Sequence, residues 1–175
     1  MKILQVNLKD KVYQVYIKRG IIKELGKLLK NISQAEKIVI ITDQKVNSIY
    51  GEKVLKILDS EGFDTYLIEI EPGEKSKSLT TLCEVYSQLV NFKVSRKDII
   101  LTLGGGVVGD LGGYAAATFL RGVPYVQVPT SLIAQVDSSI GGKVAVDLPH
   151  GKNLIGSFYH PEAVFIDPDF LDTLD

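Results

Sequence analysis

One cysteine, one methionine, two histidines and no tryptophan among 175 residues exclude several chemistries at the outset. A lone Cys83 cannot form an internal disulfide, so the chain has no disulfide framework and suits a reducing compartment. Within Leu82-Cys83-Glu84-Val85-Tyr86 it falls in a helical pattern and reads as a small buried hydrophobe, not a nucleophile. His150 and His160 lack the i, i+4 spacing of helical metal ligands, and a catalytic zinc normally takes three protein ligands. Both histidines therefore read as surface or supporting residues, and no metal site is expected. Twenty basic against 21 acidic residues leave a net charge of −1. That balance excludes a nucleic-acid partner, because neutralising phosphates requires a basic excess. No run approaches the ~18 apolar residues of a membrane span, and Met1–Asn7 alternates as a strand does, not as a signal peptide. The expectation is a soluble, cytoplasmic protein.

What is present is an ordinary globular composition, 45% hydrophobic and 23% charged, in a chain long enough to fold without staples. Residues 3–8 and 11–18 alternate around Lys9-Asp10 and predict an antiparallel hairpin. Ile21, Ile22, Leu25, Leu28 and Leu29 share one face of a helix over 21–30. Strands at 37–42, 63–70 and 98–103 alternate with helices near 47–60 and 78–91 and with a third helix around Tyr114–Ala117. Short all-apolar strands such as Ile38-Val39-Ile40-Ile41 suit a parallel sheet covered on both faces. The fold class is therefore α/β, a doubly wound, mostly parallel, Rossmann-like sheet with an N-terminal antiparallel hairpin. A further strand at 124–128 ends at Pro129-Thr130-Ser131, and a last strand at 163–167 precedes a short helix. Between them, 137–157 is rich in Gly, Ser and Lys, and residues 138–157 read as a mobile polar loop.

The most informative stretch is Leu103-Gly104-Gly105-Gly106-Val107-Val108-Gly109-Asp110. Glycines after a strand let the backbone turn sharply and approach a ligand closely, and the helix that follows aims its free N–H groups at an anion. By spacing alone, Gly104-x-Gly106-x-x-Gly109 is equally a tight strand-to-helix connection. Two features depart from an ordinary dinucleotide fold: about four strands precede the glycines, and the acidic residue, Asp110, lies inside the turn instead of ~20 residues on. Ligands of open α/β sheets sit beyond the carboxyl ends of the strands. That rule gathers Asp43, Glu71–Lys77, Gly104–Asp110 and Thr130-Ser131 along one rim and strengthens the nucleotide reading.

Other clusters carry two readings each. Pro72-Gly73-Glu74-Lys75-Ser76-Lys77 is either a turn leading to a helix capped by Ser76 or Ser78, or a carboxylate and ammonium pair facing ribose and phosphate. Asp137-Ser138-Ser139-Ile140-Gly141-Gly142-Lys143 and Gly151-Lys152-Asn153 are either solvated loops or the walls of a site for a polyhydroxylated, anionic substrate. Lys75, Lys77, Arg121, Lys143 and Lys152 are candidates for a small anion site.

In order, Pro-Gly-Glu-x-x-Lys at 72–77, Gly-Gly-Gly-Val-Val-Gly-Asp at 104–110, Phe-Leu-Arg-Gly-Val at 119–123, Pro-Thr-Ser-Leu at 129–132, Gln-Val-Asp-Ser-Ser-Ile-Gly-Gly-Lys at 135–143 and Gly-Lys-Asn-Leu-Ile-Gly at 151–156 closely resemble the 3-dehydroquinate synthase family. The resemblance covers the whole chain and is densest from 72 to 173. It implies an NAD- and metal-dependent enzyme of the shikimate pathway that turns 3-deoxy-arabino-heptulosonate 7-phosphate into 3-dehydroquinate and phosphate. A transient hydride transfer to NAD makes a ketone, phosphate is eliminated, the hydride returns, and an intramolecular aldol closes the ring.

Carried over by motif, Asp43, Pro72, Gly73, Glu74, Lys75, Ser76, Lys77, Gly106, Val107, Val108, Gly109, Asp110, Thr130 and Ser131 would hold NAD. Phe170, Leu171, Asp172 and Thr173 would flank it. Asp137, Lys143, Asn153 and Arg121 would face substrate, with Lys152 and Lys143 near the junction of cofactor and substrate. Lys45 stands where the family often has Asn, a departure at one ribose contact. Family members continue beyond the Phe-Leu-x-Thr-Leu motif, matched at 170–174, into an all-helical domain holding the Glu and His ligands of zinc or cobalt. Residues 1–175 are thus expected to be the NAD-binding domain alone, foldable but without turnover, and the complete enzyme a homodimer. Another sugar-phosphate cyclase, of the 2-epi-5-epi-valiolone or deoxy-scyllo-inosose synthase type, is the runner-up. A polyol dehydrogenase gives the 135–143 cluster no role, and a non-catalytic nucleotide-binding module stays open.

Overall fold

The computed structural model describes residues 1–9 and 11–174; the predicted hairpin tip at Asp10 lies outside them. Strands β1 (Lys2–Asn7) and β2 (Val12–Ile17) are followed by a 3-10 turn, Ile21–Glu24, and helix α1 (Leu25–Ile32). Then come β3 (Lys37–Asp43), α2 (Gln44–Val46), a π turn at Asn47–Gly51, α3 (Glu52–Ser60), β4 (Asp64–Ile70), α4 (Leu79–Asn91), β5 (Ile99–Gly104) and α5 (Gly106–Thr118). The chain continues through β6 (Tyr125–Pro129), β7 (Lys143–Leu148), β8 (Gly151–Phe158), β9 (Ala163–Ile166) and a 3-10 turn, Pro168–Thr173.

Seven strands form one sheet in the order β1-β2-β9-β6-β5-β3-β4. Only β1 and β2 pair antiparallel; every other neighbour in the sheet is parallel. The period-two alternation of each strand sends its side chains into two separate cores. Ile38, Ile40, Ile99, Leu101 and Leu103 pack under α1 and α3, while Val39, Ile41, Ile68 and Ile100 pack under α4 and α5. Chain order reverses between β3 and β5, because β4 lies on one side of β3 and β5 on the other. That reversal opens the crevice in which such sheets take their ligands.

Helix α5 lies unusually close to its neighbours. A Cβ on Gly112 would come within 2.5 Å of Thr102 Cγ2 on β5, and one on Gly113 within 2.4 Å of Val144 Cγ1 on β7. These two glycines are therefore packing residues, which let the helix lie against the sheet on one side and against β7 on the other.

The structure corrects three expectations. Most of 138–157 is not a loop: from Lys143 onward β7 and β8 pair as an antiparallel ribbon, with Val144 and Val146 buried against α5. The alternation Lys143-Val144-Ala145-Val146 and the turn at Pro149-His150-Gly151 carry that hairpin in the sequence, beneath the polar composition. Asp110 sits in α5 and not in the preceding turn, because the helix begins at Gly106 itself. Cys83 is exposed on α4. Leu82, Val85 and Leu89 define the buried stripe of that helix, and one residue past Leu82 is a rotation of about 100° away from it.

Candidate functional site

Because β4, β3, β5, β6 and β9 run parallel, the turns that follow them line one edge of the sheet in that order. Asp43 ends β3, Pro72–Lys77 follows β4, Gly105–Asp110 follows β5, Thr130-Ser131 follows β6, and Asp167–Thr173 follows β9. The rim expected from the sequence is thus physically continuous, with α5 starting at its centre.

No side chain caps α5. Its first internal bond runs from the Gly109 N–H to the Gly105 carbonyl at 3.0 Å, so the N–H groups of the turn before it lie at the crevice with the positive end of the helix dipole. Two hydroxyls overlook this turn. A Cβ on Gly105 would stand 3.4 Å from Ser131 Oγ, and one on Gly106 would stand 3.2 Å from Ser138 Oγ. The space above the helix start is one that any side chain would begin to fill. Gly106, Val107 and Asp110 reach its surface, whereas Val108 is buried in the core and Gly109 against Gln127 of β6.

Beside the helix start, a polar knot ties three elements together. The Lys77 ammonium, in a side chain only 6% exposed, donates to the Asp110 carboxylate on α5 and to Asn153 Oδ1 on β8. Asn153 has the left-handed φ of +57°, a conformation that Asn tolerates better than most residues. Burial pushes the Asp110 carboxyl above the ordinary carboxylate value, against the opposing pull of Lys77. Farther out, Lys152 Nζ meets Glu74 Oε1 at 3.1 Å between two exposed side chains. Asp110, Asp137, Ser138, Lys143 and Asn153 line a cleft of about 570 Å³ between the helix and the ribbon.

Several anticipated residues already have structural partners. Asp43 caps α2, its Oδ1 accepting the Val46 N–H at 2.9 Å. Ser131 accepts the Ala134 N–H at 3.4 Å, and the Thr130 N–H binds the Gly104 carbonyl at 2.9 Å. Ser78, not Ser76, caps α4; the Ser76 hydroxyl donates to the Glu71 carbonyl at 2.7 Å. Pro72, Gly73, Glu74 and Lys75 are exposed, and Ser76 is buried with Lys77. Phe170 is a core residue set edge-on against Tyr50 at 4.6 Å, Leu171 is half-buried, Asp172 faces Arg19 at 3.5 Å, and Thr173 bonds Tyr50.

Arg121 does not join the rim. It lies in the turn after α5, at the opposite end of a 13-residue helix, which is roughly 18 Å long. Two residues that were given no individual role also join the site: Ser138, from the 137–143 cluster, over the helix start, and Asp147, whose backbone and carboxylate hold the knot from behind. In the sequence Asp147 falls within the stretch 138–157 that reads as a polar loop. Among the described residues no group of three or more His, Cys, Asp or Glu side chains lies close enough to hold a metal ion.

Fold and rim together define a Rossmann-like α/β domain with an uncapped helix start at the switch point of its sheet. The chain belongs to the 3-dehydroquinate synthase family: residues 67–175 match the family's N-terminal domain, 3-dehydroquinate synthase N-terminal. It is 57% identical to the 3-dehydroquinate synthase of Clostridium acetobutylicum, covering all of this chain and 49% of that protein. It is 48% identical to that of Streptococcus sanguinis, over 98% of this chain and 48% of the relative. The chain thus spans about half the length of the curated relatives it matches.

Among solved structures, 2-epi-5-epi-valiolone synthase of Streptomyces hygroscopicus, with NAD+ and Zn2+ bound, is 33% identical with a TM-score of 0.86, over 97% of this chain and 47% of that one. A 2-deoxy-scyllo-inosose synthase complexed with carbaglucose-6-phosphate, NAD+ and Co2+ has a TM-score of 0.91 over 99% of this chain and 47% of that one. At 24% identity it speaks for the fold alone.

Proposed function

We propose that this chain is the nucleotide-holding half of a 3-dehydroquinate synthase, which converts 3-deoxy-arabino-heptulosonate 7-phosphate to 3-dehydroquinate and phosphate. The observation that carries the reading is the uncapped start of α5 at the switch point, kept open by Gly105 and Gly106 and overlooked by Ser131 and Ser138. A pyrophosphate is the anion that suits several backbone donors at the end of a helix dipole. Asp43 and Glu74, both on the β3–β4 side of that turn, supply carboxylate acceptors for ribose hydroxyls, and Thr130 and Ser131 supply hydroxyls on the β6 side. When bound, NAD supplies a hydride acceptor that later returns the hydride.

The chain's own residues do the holding. Lys143 brings a cationic head to the cleft, with Lys152 farther out beside Glu74, and a phosphate ester is the fitting partner. Asp137 and Asn153 offer acceptor and amide groups to a polyol. Lys77 pairs with the Asp110 carboxylate beside the helix start and opposes the burial that raises its pKa. The much higher identity to 3-dehydroquinate synthases, 57% against 33% for the valiolone synthase, favours the heptulosonate phosphate as substrate.

Calorimetric titration of NAD into the purified chain is the decisive experiment. The parent is expected to bind, and Gly106→Val to lose binding while remaining folded. A parent that takes up no NAD, or a variant that binds as well as the parent, would defeat this placement. The chain alone is expected to release no phosphate from the heptulosonate phosphate in the presence of zinc and NAD. Extended to the full length of its relatives, the protein should turn over that substrate and not sedoheptulose 7-phosphate.

A further inference from the structure

The β7–β8 ribbon breaks its register between Val146 and Leu148, and the residue at the break is Asp147. A bulge of this kind re-aims one residue of a strand, and bulges concentrate beside functional sites. Here it gives Asp147 two separate bonds. Its backbone N–H leaves the ribbon to donate to the Lys77 carbonyl at 2.8 Å, making a parallel bridge to the segment that begins α4. Its Oδ1 accepts the backbone N–H of Asn153 at 2.7 Å.

That second bond falls on a residue with a φ of +57°. Asn153 in turn offers its side-chain oxygen to the Lys77 ammonium. Lys77 is therefore held at both ends, its carbonyl by the Asp147 backbone and its ammonium by an Asn153 that the Asp147 carboxylate keeps in its turn. The charge of Asp147 also helps raise the nearby Asp110 carboxyl.

We infer that Asp147 is a positioning residue, which holds Asn153 in its left-handed turn and so sets the Lys77 ammonium between the nucleotide helix and the ribbon. Asp147 has no place among the residues that face ligand. The inference rests on the proposed reading of Lys77 as a cofactor residue, and it acts through Lys77 alone. An Asn at 147 would keep the acceptor oxygen, whereas Ala would remove it.

The test pairs Asp147→Ala with Asp147→Asn and reads two quantities. In Asp147→Ala the Asn153 amide should exchange its hydrogen at least about tenfold faster, and the dissociation constant for NAD should rise about tenfold. Asp147→Asn should stay within about twofold of the parent in both. In a Lys77→Met background, Asp147→Ala should leave NAD affinity unchanged, because the residue it acts through is gone. An equal loss in both backgrounds would mean a merely structural role and would overturn the inference. So would slow Asn153 exchange in Asp147→Ala, or an Asp147→Asn as impaired as the alanine variant. If Lys77→Met does not fold, the Ala and Asn pair decides by itself. If the parent binds no NAD, the proposed function fails, and Asn153 exchange still decides the role of Asp147.

Discussion

The start of α5 and the ribbon beside it meet the same cleft in opposite conditions. At the helix start no side chain accepts the backbone donors, and glycine keeps the space above them open. Across the cleft, Asp147, Asn153, Lys77 and Asp110 satisfy one another. One wall therefore presents backbone donors that no side chain caps, the feature on which the proposed anion site rests, and the other is already shaped by its own bonds. The difference teaches that glycine and charge have separate uses within one short region. Gly105 and Gly106 keep the space above the helix start open, Gly112 and Gly113 leave room for protein, and the Lys77–Asp110 ion pair holds geometry.

The largest effect should come from exchanging those two uses of glycine. A Cβ on Gly113 would lie 2.4 Å from Val144 Cγ1 and 3.2 Å from Tyr125 Cε2, both on buried residues that cannot retreat into solvent. Gly113→Leu should therefore lose about 3 kcal/mol of stability through overpacking. Gly106→Ala meets only the Ser138 hydroxyl at 3.2 Å. It should change stability by less than about 1 kcal/mol, since the better helix propensity of alanine offsets a small clash. Urea unfolding of both variants provides the comparison. Equal losses at the two positions would mean that the helix start is packed as tightly as the ribbon contact, and the contrast would fail.

Next in size is the knot itself. Lys77→Met leaves the Asp110 carboxylate without its ammonium. The expected cost at neutral pH is about 2 kcal/mol, below that of a fully buried pair, because Asp110 keeps 18% of its side chain exposed and has protonation as an escape. The sign with pH follows from the raised Asp110 carboxyl. An acid whose folded value exceeds its unfolded value adds stability that is complete below the unfolded value, ~3.9, and is lost as pH rises through the folded one. Lys77 opposes the rise, so removing it pushes the carboxyl higher still and steepens that loss. The gap in stability between parent and Lys77→Met should then widen from pH 4.5 to pH 7. A gap that stays constant, or that narrows, would show that the two groups are not coupled.

How much of this was legible in the sequence divides along the same line. The central strands of the sheet are so continuously apolar that a sheet covered on both faces, the strand ends and the rim could be read directly from Ile38–Ile41 and Ile99–Leu103. The glycine run located the central turn of the rim, but not that the helix begins at Gly106, nor which glycines face the cleft and which face protein. Gly106 and Gly113 carry identical local information, and only the approach of Val144 separates them. The ribbon was hidden because its outward residues, Lys143, Lys152, Asn153 and Ser157, dominate its composition, while its two buried valines are too few to overturn a polar reading. Asp147 was invisible for a related reason: its partners depend on a bulge, and a bulge is a property of two paired strands and not of one. Arg121 shows the converse, a residue that motif resemblance assigned to the site and that helix length carries to the other end of α5.

The smallest effect separates the knot from its neighbour at the surface. Glu74 and Lys152 also join the turn after β4 to the start of β8, 3.1 Å apart, so by distance alone they would seem to share the work of holding the ribbon in place. Exposure argues otherwise. Their side chains are 47% and 70% exposed, so water and salt screen the attraction and two long side chains must be ordered to form it. Glu74→Gln should change stability by less than about 0.5 kcal/mol, and by nothing measurable once added salt shortens the screening length to a few ångströms. Asn153 amide exchange should also stay at the parent rate, since neither Lys77 nor Asp147 is touched. NAD affinity, by contrast, should fall, because the same carboxylate is proposed to face the ribose. If Glu74→Gln instead loosened the Asn153 amide, the ribbon would be held from its exposed edge, and the buried knot would be a consequence of that contact.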